Sequence, residues 1–484
     1  MSKTARLLQA LFAILLILTV LNHYSNDPLF ATIDTSGWSV PRLGVDDFEY
    51  LLGDKGYTFC ASEDPAMLTS AKYIITQFRR EWKSQLPISI AHCSEMTKST
   101  MDELHRVHRD AVIQSFGSDV DALVSASFEI VDICDGDRIS PGQKKRLRGW
   151  FCKTMALVNA PFRQTMLVDT DVIWLKNPDL LFQAPSYAAT GALFFRDRLI
   201  FEMESPEPES GKKTSAMAGN GRTGKNDWLR FAEVREFIEK QALSLFGERI
   251  NTSSPSFARK MMQGSAPHLG SSNFFWGPAL NSTAPRLRHV QESSVVVLHR
   301  HKKPRTLQVL RQLIPSFRLG YGDKELYWIA ATIAGESFSF EPFLAGVYGD
   351  CGEVLHYDPL AVGKSGINAS AITMPVPFFI NGQYISESVD FEGKGLQGLM
   401  SQPLFAAEDV HPFRPLGKRD PITGGNCGGC AAAGGCIRVP TDVSAAVVRQ
   451  QQFQLKHVDP AFKTTFVGRI YYIARRVFAK FLPI

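Results

Sequence analysis

Apolar residues along this chain fall into two kinds of segment, short unbroken runs and longer stretches at helical spacing. Tyr57-Thr58-Phe59-Cys60-Ala61 is the first run, and it stops at Ser62-Glu63-Asp64-Pro65. That is the composition of a strand and the turn after it. Residues 67–82 then place Met67, Ala71, Ile74, Ile75, Phe78 and Trp82 at helical spacing. The pattern goes on to predict a strand at 88–91, a helix and loop at 101–116, a strand at 128–133 and a helix at 148–157. Further along it predicts a helix at 228–246, a buried strand at 293–298 and a helix at 324–334. Shorter strands and turns follow through residue 389. Strands alternating with helices predict an α/β fold, a mostly parallel sheet with helices on both faces. Ligands of such sheets sit at the carboxyl ends of strands.

One stretch breaks the pattern. In Thr165-Met-Leu-Val-Asp-Thr-Asp-Val-Ile-Trp-Leu175 the apolar run is interrupted by Asp169 and Asp171. Burying an unpaired carboxylate is costly, so each needs a cation or hydrogen-bond donors. In extended chain, residues i and i+2 share a side, so the pair could converge on one point. A divalent cation completed by substrate phosphates suits that arrangement. A capped turn with solvated carboxylates is the alternative.

The N-terminus changes the picture of where this chemistry happens. Lys3 and Arg6 precede an apolar run at 7–21, broken only by Gln9 and Thr19. At about 15 residues it lies between a secretory h-region and a full bilayer span. Small residues suited to cleavage are poorly placed after it. The run predicts an uncleaved signal anchor at 7–23 with residues 1–6 cytosolic, a cleaved signal peptide being the alternative. A short stem at 24–50 and a lumenal catalytic domain at 51–390 follow. Eight cysteines, an even count, suit disulfides in an oxidising lumen. Three sequons, at Asn251, Asn281 and Asn368, could carry glycans there.

Composition adds exclusions. The 484 residues are 44% hydrophobic and 21% charged, ordinary for a globular protein. The net charge of +5, without a basic run interleaved with aromatics, argues against a nucleic-acid binder. Residues 202–227 are acidic and Gly-rich and predict a mobile insertion. Residues 391–484 combine an irregular Gly/Cys-rich segment with a basic amphipathic tail at 466–481, either a packed helix or a membrane-surface contact. Cys427-Gly-Gly-Cys430 with Cys436 could hold zinc. Without a fourth ligand at the usual spacing, disulfides are preferred.

Asp169-Thr170-Asp171, with the strand before it, Asn177-Pro178 and Leu181-Phe182 after it and Gly191 to Arg198 beyond, resembles the D-x-D region of fungal α-1,3-mannosyltransferases (glycosyltransferase family 71). The likeness continues at Leu86-Pro87-Ile88, Lys153, Gln291-Glu-Ser-Ser-Val-Val-Val297, Tyr321-Gly-Asp-Lys-Glu325 with Trp328, and Cys351-Gly352 with Leu355-His356-x-Asp358. Ser294 departs from the family's Gly, and Asn381-Gly382 lacks a second Gly. The resemblance implies a GT-A, Rossmann-like fold and a single-pass type II Golgi membrane protein. It also implies retaining, metal-dependent transfer of mannose from GDP-mannose, in α-1,3 linkage, to a glycan of a secretory glycoprotein.

The same resemblance suggests roles. Asp169 and Asp171 would hold Mn²⁺ or another divalent cation on the donor diphosphate, with His356 as a further ligand. Glu292 and Asp323 are the catalytic candidates, one as nucleophile or both as positioning groups. A structural role, such as helix capping by Asp323, is the alternative. Lys153 and Gln291 join the donor-binding set. Arg196, Arg198 and Lys324 could bind the diphosphate or form ion pairs with Asp197 and Glu325. Two other functions remain open at this stage: a UDP-sugar transferase of the same fold, and an inactive domain serving as glycan-binding scaffold.

Overall fold

The computed structural model describes residues 52–117, 128–135, 141–197, 231–252, 290–314, 317, 319, 322–341, 345–348, 353–360 and 376–381. The expected anchor, stem, insertion and C-terminal segment lie outside these residues, as do Arg198, Cys351, Asn281 and Asn368. Among the described residues no helix is long and apolar enough to cross a membrane.

In chain order the elements are β1 (Gly53–Cys60), α1 (Pro65–Thr76) running into a π-helical turn (Gln77–Glu81), β2 (Ile88–His92), α2 (Lys98–Phe116) and β3 (Phe128–Asp132). Next come α3 (Pro141–Leu147), α4 (Phe151–Asn159), β4 (Phe162–Val168), β5 (Val172–Trp174), a 3-10 turn (Pro178–Gln183), α5 (Pro185–Thr190) and β6 (Ala192–Arg196). The remainder is α6 (Phe231–Phe246), β7 (Gln291–His299), α7 (Pro304–Leu313), α8 (Leu326–Ile333), β8 (Ser339–Phe340), β9 (Gly346–Tyr348), β10 (Glu353–Tyr357) and β11 (Pro377–Asn381).

The main sheet has seven strands in the order β3-β2-β1-β4-β7-β6-β8. All pairings are parallel except those of β7, which runs against both β4 and β6. The expected mostly parallel α/β architecture is therefore present, with one reversed strand that the alternation of elements did not disclose. Tyr57, Phe59, Ile88, Ile90, Met166, Val168, Val295, Val297, Leu193 and Phe195 form one continuous apolar cluster with Ala71, Ile74 and Phe78 from α1 and its π turn. Registers Tyr57↔Ile88, Tyr57↔Met166 and Met166↔Val297 put these side chains on one face, as the two-residue period of a strand requires. α4 packs on β1, β2 and β4 and also meets α7, which in turn packs on α8.

The apolar residues after Asp171 do not continue β4. They form β5, which leaves for a second, four-stranded sheet of order β5-β11-β10-β9. Trp174 anchors the departure, fully buried against Phe78, Phe378 and Phe379. Gln77 secures it from the π turn, its amide donating to the Trp174 carbonyl at 3.1 Å. The extended-chain geometry expected of Asp169 and Asp171 is thus corrected: both sit on the turn between two sheets. The turn is closed by the Val172 N–H donating to the Asp169 carbonyl at 3.2 Å.

The segment after β5 is fixed by its own polar residues. Asn177 Oδ1 accepts from the Asp179 N–H at 3.0 Å, and Pro178 starts the 3-10 turn. Asp179 then accepts from the Tyr57 hydroxyl and, at 2.9 Å, from Ser84. Leu181 and Phe182 enter the core.

Candidate functional site

β1 and β4 run parallel and end near one another, so the Ser62-Glu63 turn and the Asp169-Thr-Asp171 turn share the carboxyl edge of the sheet. Two disulfides stitch this edge: Cys60–Cys152, and Cys93–Cys134. The first joins the end of β1 to the start of α4, directly before Lys153. Arg148 secures the preceding turn, donating to the Cys93 and Ser94 carbonyls at 3.0 and 3.3 Å.

Lys153 reaches across from α4 to the strand ends. Its ammonium lies 3.0 Å from Asp169, 3.3 Å from Asp323 and 3.3 Å from the Ser293 hydroxyl. Burial alone would push its pKa down, but Asp169, Asp323 and Glu292 outweigh that and raise it, so Lys153 is a fixed cation. Asp169 shows the opposite balance. Burial first, and then Asp171 and Asp323, push its pKa up to about 7 in spite of Lys153. Its N–H donates to the Ser294 carbonyl at 2.7 Å, which pins the turn to β7.

β7 carries the next residues because its pairing slips. The register with β6 runs Phe194↔Val296 and then jumps to Phe195↔Glu292. The extra residues bulge, and bulges re-aim side chains beside functional sites. Glu292 is fully buried. Its Oε2 accepts from Lys324 at 2.8 Å, and its Oε1 accepts from the Ser294 N–H at 3.1 Å and from Asn381 Nδ2 at 3.2 Å. Burial would raise its pKa, yet Lys324 and more weakly His356 bring it below the usual carboxylate value. Lys324 also bridges to buried Asp197 at 2.7 Å.

Asp323 accepts from the Ser293 hydroxyl at 3.2 Å and from the Tyr327 hydroxyl at 2.8 Å. It does not cap α8; Glu325 occupies the cap position. Glu325 is itself buried, accepting from the Val290 N–H at 2.9 Å and from Trp328 Nε1 at 2.6 Å. Gln291 accepts from the Trp328 N–H at 3.3 Å.

The structure therefore brings Lys153, Asp169 and Asp323 together through one lysine bridge and Asp197, Lys324 and Glu292 through another, with Asp171 on the Asp169 turn close enough for its charge to act on Asp169. Arg196, at the end of β6 next to Asp197, is buried, donates to the Glu341 carbonyl at 3.1 Å and packs over the Phe340 ring. His356 is buried on β10, stacked on Phe379 with ring centroids 4.5 Å apart and edge-on to Phe195. Among the described residues no group of three metal-ligating side chains occurs. Asp358 pairs with Lys176 at 2.6 Å and so ties β10 to the segment after β5.

Sequence reasoning did not single out Ser293, Tyr327 or Asn381 for roles, although Ser293 and Asn381 lay inside quoted motifs. The Lys176–Asp358 pair and the Cys60–Cys152 bond were also missed. Each joins positions far apart in the chain, and pairing of that kind leaves no local signal.

Comparison with known proteins gives a family. The family model described as "Mannosyltransferase putative" matches residues 54–356, which covers every described residue of this cluster except Asn381. A Candida albicans protein named "Putative alpha-1,3-mannosyltransferase MNN14" is 25% identical over 275 residues, 56% of this chain and 32% of its own length. The Saccharomyces cerevisiae "Alpha-1,3-mannosyltransferase MNT2" is 21% identical over 307 residues, 63% of this chain and 46% of its own. "Alpha-1,3-mannosyltransferase MNT3" of the same yeast is 27% identical over 210 residues, covering 42% and 28%. The chain thus spans less than half the length of these relatives.

Proposed function

Because the chain belongs to this mannosyltransferase family, we propose that it is a retaining, metal-dependent glycosyltransferase of GT-A type that moves mannose from GDP-mannose, in α-linkage, to a glycan. The observation that carries the reading is the pair of lysine bridges, Asp169–Lys153–Asp323 and Asp197–Lys324–Glu292, at the carboxyl edge of the sheet.

The residues present fit a divalent cation. Asp169 and Asp171 share one turn, and burial, with the neighbouring carboxylates adding to it, raises the Asp169 pKa, which a further cation would relieve. The carboxylates here outnumber the two lysines, so a diphosphate could not approach without added positive charge. Two carboxylates are an adequate protein share for a hard cation whose other ligands are phosphate oxygens and water. When bound, the ion supplies charge neutralisation on the leaving diphosphate. His356 is assigned instead to the surroundings of Glu292, whose ionised form it favours.

Glu292 and Asp323 are each held by several donors. A carboxylate so occupied is better suited to stabilising developing positive charge on the sugar than to displacing a leaving group. Retention then proceeds by attack on the face from which the diphosphate departs. The C1–O bond to phosphate breaks with its electron pair going to phosphate. The acceptor hydroxyl oxygen bonds to C1, and its proton passes to the leaving phosphate oxygen. Lys153 holds Asp169 and Asp323 at fixed positions while this occurs.

The two disulfides support residence in an oxidising compartment; a lumenal, Golgi-anchored topology is proposed on the N-terminal apolar run at 7–21 and the family resemblance. The donor is tested by incubating the full-length chain with GDP-mannose and UDP-sugars side by side and reading nucleotide release. Release from GDP-mannose alone is expected; release from a UDP-sugar alone would overturn the donor assignment.

A further inference from the structure

Glu292 is held from both sheets. The Ser294 N–H of β7 and the Lys324 ammonium grip it from the main sheet and the turn before α8. The third donor, Asn381 Nδ2, lies 3.2 Å from Oε1 and belongs to the last residue of β11 in the other sheet. A carboxylate only accepts, so the nitrogen of the amide is the atom that faces it. β11 arrives there in a fixed register. Phe379, two positions earlier on the same face, packs edge-on to Phe195 with ring centroids 4.8 Å apart, and Phe195 is the β6 partner of Glu292. Asn381 also stands opposite Val172, the residue directly after Asp171, whose N–H closes the Asp169 turn. Residues so paired lie about 5 Å apart. One residue is therefore tied by strand register to the proposed metal turn and by its side chain to Glu292.

Asn381 Oδ1 is buried and receives no hydrogen bond. An unpaired buried carbonyl oxygen costs stability, and an apolar side chain, such as Phe379 on the same face, avoids that cost. Resting on the glycosyltransferase reading, we propose that Asn381 is a positioning residue, which holds the Glu292 carboxylate at a set distance from the Asp169–Asp171 turn. It acts through Glu292: a carboxylate fixed before the sugar acquires positive charge need not reorganise as that charge develops. An amide suits the task because it donates to the anion without adding a cation beside Lys324. The benefit falls on the bond-breaking step rather than on donor binding.

The test compares full-length wild type with Asn381→Leu, which removes the amide at similar size, and Asn381→Asp, which keeps the shape but not the donor. GDP-mannose is the donor and an α-linked mannobiose the acceptor, at about pH 8 so that both carboxylates of the second variant ionise. Asn381→Leu should lower kcat about tenfold, the scale of one hydrogen bond to a charged group, with the GDP-mannose KM moved by less than about twofold. Its melting temperature should stay close to that of wild type, because the unpaired oxygen leaves with the hydrogen bond. Asn381→Asp should lower kcat at least as far, since it sets a like charge against Glu292, and it serves alone if Asn381→Leu does not fold. Wild-type kcat in Asn381→Asp, a rise in KM with kcat unmoved, or a lowered melting temperature with kcat unmoved would each overturn the role. A wild-type chain that transfers from no nucleotide sugar contradicts the glycosyltransferase reading and this role with it, whereas an active wild type with equally active variants contradicts this role alone.

Discussion

Lys153 Nζ stands 3.3 Å from Asp323 Oδ2, joining the first turn of α4 to the turn that precedes α8. The same ammonium holds Asp169 at 3.0 Å, so one side chain sets the spacing between the proposed metal turn and a proposed catalytic carboxylate. Lys153→Met removes the cation and leaves those carboxylates facing one another. Asp323 is buried, but Lys153 and Asp169 keep some contact with water, so the stability loss is expected at about 2–3 kcal/mol, at or below the low end for a fully buried pair. Transfer should fall at least 100-fold, on the scale of losing one preorganised electrostatic group. Thermal unfolding and kcat measured on one preparation check both; an unfolded variant would leave kcat unreadable, and Lys153→Arg then serves, with smaller losses expected in the same directions.

The Cys60–Cys152 bond closes a sequence separation of 92 residues and ends beside Lys153. Chain-entropy arguments give roughly 4–5 kcal/mol for a loop of that size. Cys60→Ala with Cys152→Ala should lower the melting temperature markedly and reduce kcat more than KM, because the start of α4 is no longer tied to β1. Unchanged kcat in the folded double variant would detach the disulfide from the site.

Much of the main sheet was legible in the sequence, and the reason is local. The strands at 57–61, 88–91 and 128–133 are apolar runs bounded by turn residues, and their partners in space follow from alternation with helices. What the sequence hid depends on distant contacts. The three residues after Asp171 look like more of β4, yet they belong to the other sheet because Trp174 finds its pocket among Phe78, Phe378 and Phe379. The reversal of β7 and its bulge are equally silent, since an apolar run has the same composition in either direction. At the site, motif residues such as Glu292, Asp323 and Lys324 were found by resemblance, and the structure brings them together. Arg196 was quoted from the same motif, and its guanidinium packs over the Phe340 ring. Alternation along a strand does not say what a cation on it will meet.

His108 supplies a pH dependence away from the site. Its Nε2 accepts from Arg79 Nε at 3.1 Å and its ring stacks on Phe128, an arrangement that requires the neutral imidazole. Burial, then Arg79 and His105, push its pKa down from 6.5 to about 3. The unfolded chain binds this proton below its ordinary value while the folded chain does not. Stability is therefore complete above pH 6.5 and is lost as pH falls towards 3, by roughly 1.4 kcal/mol per unit in that window. Denaturant unfolding between pH 7 and 4 should show the slope, and His108→Gln, which keeps an acceptor for Arg79, should remove one proton's worth of it. A slope identical in the variant would contradict the assignment.

Azide distinguishes the roles of the two clamped carboxylates. If Glu292 or Asp323 were the nucleophile, its alanine variant with added azide would yield a mannosyl azide of inverted configuration. The expected result for both Glu292→Ala and Asp323→Ala is loss of transfer with no such product.

The most direct measurement is mannose transfer from GDP-mannose to an α-linked mannobiose by the full-length chain, with Mn²⁺ present and then with EDTA. It is repeated for Asp171→Ala, a change at a half-buried turn position that the fold should tolerate. Transfer that needs the cation, is abolished by EDTA, and is lost in the folded variant is the predicted result. Full transfer in EDTA, or an active Asp171→Ala, would contradict the account.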